Sequence, residues 1–244
     1  VIFSPDFNWV NVPLMEIFRN RLPFYKIFLE NANRALALGE YIYGAAKNAD
    51  YILCINLGYG IGAAIIESGQ LLYGKSGTCG EFGHMIMEPD GPLCDCGNQG
   101  CLEALASGNA IAKRMEREIM EGKQTLVSRA AVKQGKIEAE IVFEAARAGD
   151  ILSRKIIDEA MEYVGIAIAS SINLLDPDMI ILAGGLTKSK DLFLDQLQRT
   201  VEKYKMKYSG KNVSIRTGTL GEYATAIGAA AMLIRLFIEN GGEL

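Results

Sequence analysis

The sequence is 244 residues long, half of them apolar and 22% charged, with a formal net charge of −4. That length can bury a sizeable core in one large or two small domains, and the acidic balance speaks against this chain gripping a phosphate backbone by itself. No apolar run approaches the eighteen or so residues of a membrane span, and no signal-peptide pattern opens the chain.

The chain opens on Val1 rather than Met, and a fragment is expected. Residues 14–22 read as an amphipathic helix stopped by Pro23. An extended run over 24–29 leads into a helix over about 31–47. Residues 51–57 are apolar, rich in β-formers and bounded by Asp50 and Gly58, which fits a buried strand. Residues 62–67 and 69–73 form a hairpin turning at Glu67-Ser68-Gly69. A Gly- and Cys-rich irregular stretch covers 74–101. Helical periodicity dominates 102–175, with breaks near Lys123, Gly135 and Gly149-Asp150, and Asp150 is an N-cap candidate. The tract 164–175 reads as part of a buried helix, stopped by Asp176-Pro177-Asp178. Residues 179–183 are a second buried strand ending at Gly184-Gly185, the cluster 203–207 is a solvated helix face, and a small-residue helix over 224–239 closes the chain. Strands and helices alternate without repeats, so the class is α/β.

The chemistry is densest at His84, Cys94, Cys96 and Cys101. Five cysteines cannot all pair within one chain, and three crowded into eight residues suit a cytosolic metal site better than a disulfide framework. One imidazole and three thiolates make the closed tetrahedral set that structural Zn²⁺ prefers. Gly97 and Gly100 let the backbone fold tightly enough for the sulfurs to converge. Four protein ligands leave no open position, so the metal is expected to be structural. Cys54 and Cys79 read as small core residues.

Gly58, Gly60 and Gly62 follow the 51–57 strand, where glycine backbone can approach a phosphate. Gly184-Gly185 can do the same after the 179–183 strand. A glycine pair ending a strand more often marks only a turn, and Leu57 stands where a phosphate loop usually carries a hydroxyl. Glu81 and Glu103 flank the metal set. If a metal holds those backbones, the two carboxylates and the imidazole can converge on vicinal sugar hydroxyls; otherwise they are surface glutamates.

Taken together, Gly58–Gly62, Gly80-Glu81-Phe82-Gly83-His84 and Cys94-Asp95-Cys96-Gly97-Asn98-Gln99-Gly100-Cys101-Leu102-Glu103 resemble, in order and spacing, the signature of the ROK family of bacterial sugar kinases and sugar-responsive repressors. The resemblance continues at Glu30-Asn31-Ala32-Asn33, Gly39-Glu40, Asp176-Pro177, residues 180–185 and Gly228-Ala229-Ala230. It implies an actin-like ATPase (ribonuclease H-like) α/β fold, with residues 1–50 the remnant of a first lobe and 51–244 a zinc-stapled C-terminal lobe. It implies sugar contacts from Asn31, Glu81, His84 and Glu103, and nucleotide contacts, vestigial in a non-kinase, from Gly58, Gly60, Gly62, Gly184 and Gly185.

Two departures from the resemblance shape the functional expectation. Active members carry an aspartate general base where this chain has Asn31, and an amide has no basic site for the hydroxyl proton. Glu30 is one residue out of register. No strand–glycine–threonine phosphate loop precedes residue 31, and phosphoryl transfer depends on such positioning. The expected function is therefore the sugar-sensing effector domain of a ROK-type transcriptional regulator that binds a monosaccharide and is not itself an enzyme. Its structural cofactor would be Zn²⁺, and DNA contact would run through a segment outside this sequence. A cytoplasmic homo-oligomer, a dimer, with no membrane contact is expected. The alternative is an ATP·Mg²⁺-dependent sugar kinase.

Overall fold

A computed structural model describes residues 1, 3–4, 9–127 and 137–243. The break expected near Gly135 lies outside the described residues. Two short strands, β1 (Phe3–Ser4) and β2 (Trp9–Val10), pair antiparallel ahead of α1 (Leu14–Arg21). None of the residues of α1 is buried. The extended run expected over 24–29 has no strand partner; Phe24 and Tyr25 stand 96% and 70% exposed.

The centre of the molecule is a five-stranded mixed sheet built from β3 (Tyr51–Leu57), β4 (Ile61–Glu67), β5 (Gln70–Leu71), β6 (Met179–Ala183) and β7 (Ser214–Thr217), in the order β5-β4-β3-β6-β7. The first three strands form an antiparallel meander, and β6 and β7 add in parallel beside β3. Side-chain alternation shows why both faces are covered. Leu53, Ile55 and Leu57 of β3, with Ile180 and Leu182 of β6, enter one core; Ile52 and Cys54, with Met179, Ile181 and Ala183, enter another. A strand apolar on both faces must lie between layers.

The first core is roofed by α3 (Leu102–Ala106), α4 (Gly108–Met120), α5 (Ala139–Arg147), α6 (Ile151–Leu175) and α7 (Leu194–Tyr204). The second is covered by α2 (Ala32–Ile42) and α8 (Ala224–Glu239). Asp150 caps α6 through a bond from the Ser153 N–H, and Asp176, with φ 45°, ends it. The expected 31–47 helix stops at Ile42, because the buried Glu40 carboxylate accepts the Ala45 N–H and turns the chain away. The same carboxylate accepts the Thr219 and Leu220 N–H groups, tying α2 to the turn that leads into α8.

Residues 221–239 make one helical stretch of 19 residues, long and apolar enough to cross a membrane by length and composition. That corrects the expectation that no run approaches this length. One face of α8 packs on α2 through Gly39 and Gly228, while Ile234 and Ile238 are exposed.

Candidate functional site

The metal-type residues converge. His84 ends a short 3₁₀ turn over Phe82–His84, Cys94 and Cys96 sit on the following loop, and Cys101 is the N-cap of α3. Their ligand atoms all lie within 4.8 Å of one another. Cys96 Sγ is 3.7 Å from Cys101 Sγ, and Cys94 Sγ is 3.7 Å from His84 Nδ1. Both separations suit ligands at the corners of one tetrahedral metal site. Gly97 and Gly100 take left-handed φ values of 96° and 69°, as the tight knuckle requires. Burial pushes the Cys101 thiol up to about 12 and raises Cys94 as well. At Cys96 burial also raises the thiol pKa, but hydrogen bonds from the Asn98 backbone and the neighbouring thiols outweigh it and leave it lowered. Three adjacent sulfurs cannot all ionise beside one another unless a cation joins them. The cluster can therefore hold one metal ion, with the donor set and spacing to match.

The two carboxylates are held differently. Glu103, near the start of α3, accepts the Ile61 N–H at Oε2, 2.7 Å away, which fixes it over the start of β4. The turn carrying His84 is packed on the start of β4: a Cβ on Gly83 would strike the Ile61 carbonyl, with Glu103 Cβ the next side chain at 3.3 Å. Glu81 is more exposed, with Oε2 3.8 Å from His84 Nε2, so the imidazole faces the cysteines with Nδ1 and a carboxylate with Nε2. Asn31 stands at the N-cap of α2, its Oδ1 accepting from the Asn33 and Arg34 N–H groups. Among the described residues, no hydrogen bond joins it to Glu81, His84 or Glu103.

Glu30 is committed elsewhere. Its carboxylate accepts from the Asn31 N–H, from Arg34 Nε at 2.6 Å and from the Tyr73 hydroxyl at 2.9 Å. Burial raises its pKa, but those three bonds and the Arg34 charge outweigh burial and hold it below the ordinary value.

The five candidate nucleotide glycines separate into two groups. Gly58 and Gly185 line a cavity of about 380 Å³ with Asn109, Phe143 and Lys188. Gly184 and Gly185 line a neighbouring one of about 230 Å³ with Glu40, Asn56 and Thr187. Gly60 and Gly62 instead face other side chains: a Cβ on Gly60 would meet Glu103 Oε2 at 2.5 Å, and one on Gly62 would strike the Asn33 amide. Two residues to which the sequence reading gave no site role join these regions. Asn56 Nδ2 donates to Asn33 Oδ1 at 2.9 Å, linking the end of β3 to the start of α2. The legible signal was a lone amide inside an otherwise apolar buried strand.

A sequence profile of the ROK family matches residues 1–235. The chain belongs to the ROK family. It is 36% identical over 234 residues to a glucokinase of Thermotoga maritima, an alignment that covers 96% of this chain and 74% of that one. It is 28% identical to the xylose repressor of Bacillus subtilis, covering 98% of this chain and 58% of the repressor. Among solved structures, a ROK glucokinase from Streptomyces griseus in complex with glucose and AMPPNP superposes with a TM-score of 0.84 at 31% identity, over 95% of this chain and 75% of that one. The mixed sheet is thus the actin-like core of this family, and kinases and repressors are both among the chain's relatives.

Proposed function

We propose that this ROK chain is a monosaccharide-sensing domain of a transcriptional regulator, binding its sugar beside Glu81, His84 and Glu103 without phosphorylating it. The observation that carries this reading is the state of Asn31. Its amide oxygen is spent on two cap bonds, so what it turns outward is a donor, with no lone pair basic enough to take a hydroxyl proton. The neighbouring carboxylate, Glu30, is locked in its own ion pair with Arg34. Loss of a general base alone costs about 10²–10⁴-fold in rate.

Support for the binding half of the reading is the anchoring of both Glu103 and the His84 turn on Ile61, the first through its N–H and the second packed against its carbonyl. A sugar's hydroxyls must be stripped of water and re-paired, and acceptors already held in place reduce that cost. Zn²⁺ on His84, Cys94, Cys96 and Cys101 would complete the support. As a closed four-ligand ion it would contribute folding stability and hold Nδ1 of the imidazole, leaving Nε2–H for a sugar oxygen.

The second reading is an ATP·Mg²⁺-dependent sugar kinase. It is favoured by the glucokinase relatives and by the cavities at Gly58, Gly184 and Gly185, whose position after β3 and β6 suits a nucleotide. Thermal melting against a panel of monosaccharides, run beside an ATP-dependent phosphorylation assay, separates the two. The sensor reading expects a melting shift from at least one sugar, lost in Glu103→Ala, and no turnover above background. Robust turnover abolished by Glu30→Gln establishes the kinase instead.

A further inference from the structure

Glu103 is also the edge of a larger space. A cavity of about 730 Å³ runs from Tyr59, Gly60 and Glu103 between α4, α6 and the loop over residues 88–95. Ligand pockets run from about 300 to 1,000 Å³, so this one is well above the small end, where a single monosaccharide belongs.

The charges lining it are sorted by wall. On α4, Lys113 and Arg117, one helical turn apart, line the cavity and have no ion-pair partner among the described residues. Like charges at this spacing disfavour the helix unless something compensates them. Between them, Arg114 bonds Glu159 of α6 through Nη2, yet its buried Nε has no acceptor. On the loop, Asp90 and Asp95 likewise have no hydrogen-bond or ion-pair partner among the described residues, whereas Glu88 is taken up by the Tyr163 hydroxyl. The unpaired charges are therefore cationic donors on the α4 wall and carboxylate acceptors on the loop wall. An ion of either sign entering this space meets a wall of its own charge. A hydroxyl both donates and accepts, so a neutral, hydroxyl-rich ligand satisfies both walls at once. Tyr59, 72% exposed at the Glu103 end, supplies a flat apolar face of the kind on which a sugar ring rests its C–H groups.

We propose that this cavity is a second saccharide subsite, and that the chain's ligand is a neutral di- or oligosaccharide with one unit at Glu103 and the next between α4 and the 88–95 loop. The proposal rests on the sugar-binding reading above and names its ligand class.

Titration calorimetry on the full chain tests it, with glucose, xylose and mannose as single units and maltose, cellobiose, lactose and xylobiose as pairs. At least one disaccharide should bind about tenfold or more tighter than any of the monosaccharides. The double variant Lys113→Ala/Arg117→Ala should erase most of that advantage without lowering the melting temperature, since removing two like charges at this spacing does not weaken the helix; Lys113→Met/Arg117→Met, which removes the donors and keeps most of the side-chain length, should do the same. A bound monosaccharide with no disaccharide exceeding it overturns the second subsite and leaves the sugar-binding reading standing. A disaccharide advantage that both double variants preserve also overturns it, since the second unit then lies elsewhere. Absence of binding by any sugar, single or paired, overturns both.

Discussion

Asn31 does two jobs that substitution can pull apart. As the N-cap of α2 it satisfies the Asn33 and Arg34 N–H groups, which a helix start otherwise leaves unpaired. Asn31→Ala should cost about 1 kcal/mol, as cap deletions do, read as a melting temperature lower by roughly 2–4 °C for a chain of this size. Asn31→Asp should hold stability, because aspartate caps as well as asparagine, while placing a carboxylate where the proposed function puts the missing general base. If Asn31→Asp melts like Asn31→Ala, the cap bonds are not what the residue contributes. Glu30 is held away from that role by its bonds to Arg34 and Tyr73.

At the scale of elements, two junctions are exposed to test. Asp150 joins the start of α6 to the preceding loop: it accepts from Ser153 N–H at 3.0 Å, from Thr125 Oγ1 at 2.6 Å and from Leu126 N–H at 3.2 Å. Burial raises its pKa, and these bonds outweigh burial, leaving it below the ordinary 3.8. A carboxylate depressed in the folded state adds stability that is present above its unfolded pKa and is lost as pH falls through the folded one. Asp150→Asn should therefore be less stable than the parent near neutral pH by about 1–3 kcal/mol. The gap should close as pH drops below about 4, and denaturant unfolding at several pH values reads it directly. A gap that widens in acid would contradict the assignment. The second junction is the crossing of α2 and α8. A Cβ on Gly228 would collide with the Ala35 carbonyl, and one on Gly39 would sit 2.5 Å from the Ala224 carbonyl. Gly228→Ala, normally a gain inside a helix, should here destabilise by about 1–3 kcal/mol or more, because rigid backbone has to give way. A neutral or stabilising result in urea unfolding would show that the helices separate easily.

For the whole molecule, the sheet is the divider. Its two faces are packed by separate cores, and the candidate site lies where the antiparallel β3–β4 turn, the 3₁₀ turn over Phe82–His84 and the start of α3 meet. The knuckle closes that corner, its backbone tied back on itself by the bridges Ile86↔Cys101 and Leu93↔Gln99. Protein purified without added metal should carry about one Zn²⁺ per chain by elemental analysis, and strong chelation should lower the melting temperature and abolish any sugar-induced shift. Cys96→Ser should reproduce the effect, because structural metal binding is folding free energy. A metal-free preparation that melts unchanged and still responds to sugar would remove zinc from the account.

The sequence by itself determined the strands at 51–57 and 179–183 and the closing helix at 224–239, because runs apolar on both sides and small-residue periodicity are local signals. It also pointed to the cluster of His84, Cys94, Cys96 and Cys101, since three cysteines and the chain's single histidine within eighteen residues can converge with little help from the rest of the fold. It did not reach the strand Ser214–Thr217, which is short and placed by docking beside β6, and it named only the end of the helix Leu194–Tyr204, although Leu194, Leu197 and Val201 recur there at helical spacing. It overran α2, because the Glu40 carboxylate that takes the Ala45 N–H is buried and held by backbone groups 179 and 180 residues away. The division of the glycines was equally out of reach. Gly60 and Gly62 are small for the sake of Glu103 and Asn33, and only the tertiary structure brings those side chains to them, since periodicity reports a residue's own neighbours and not what packs against it from afar.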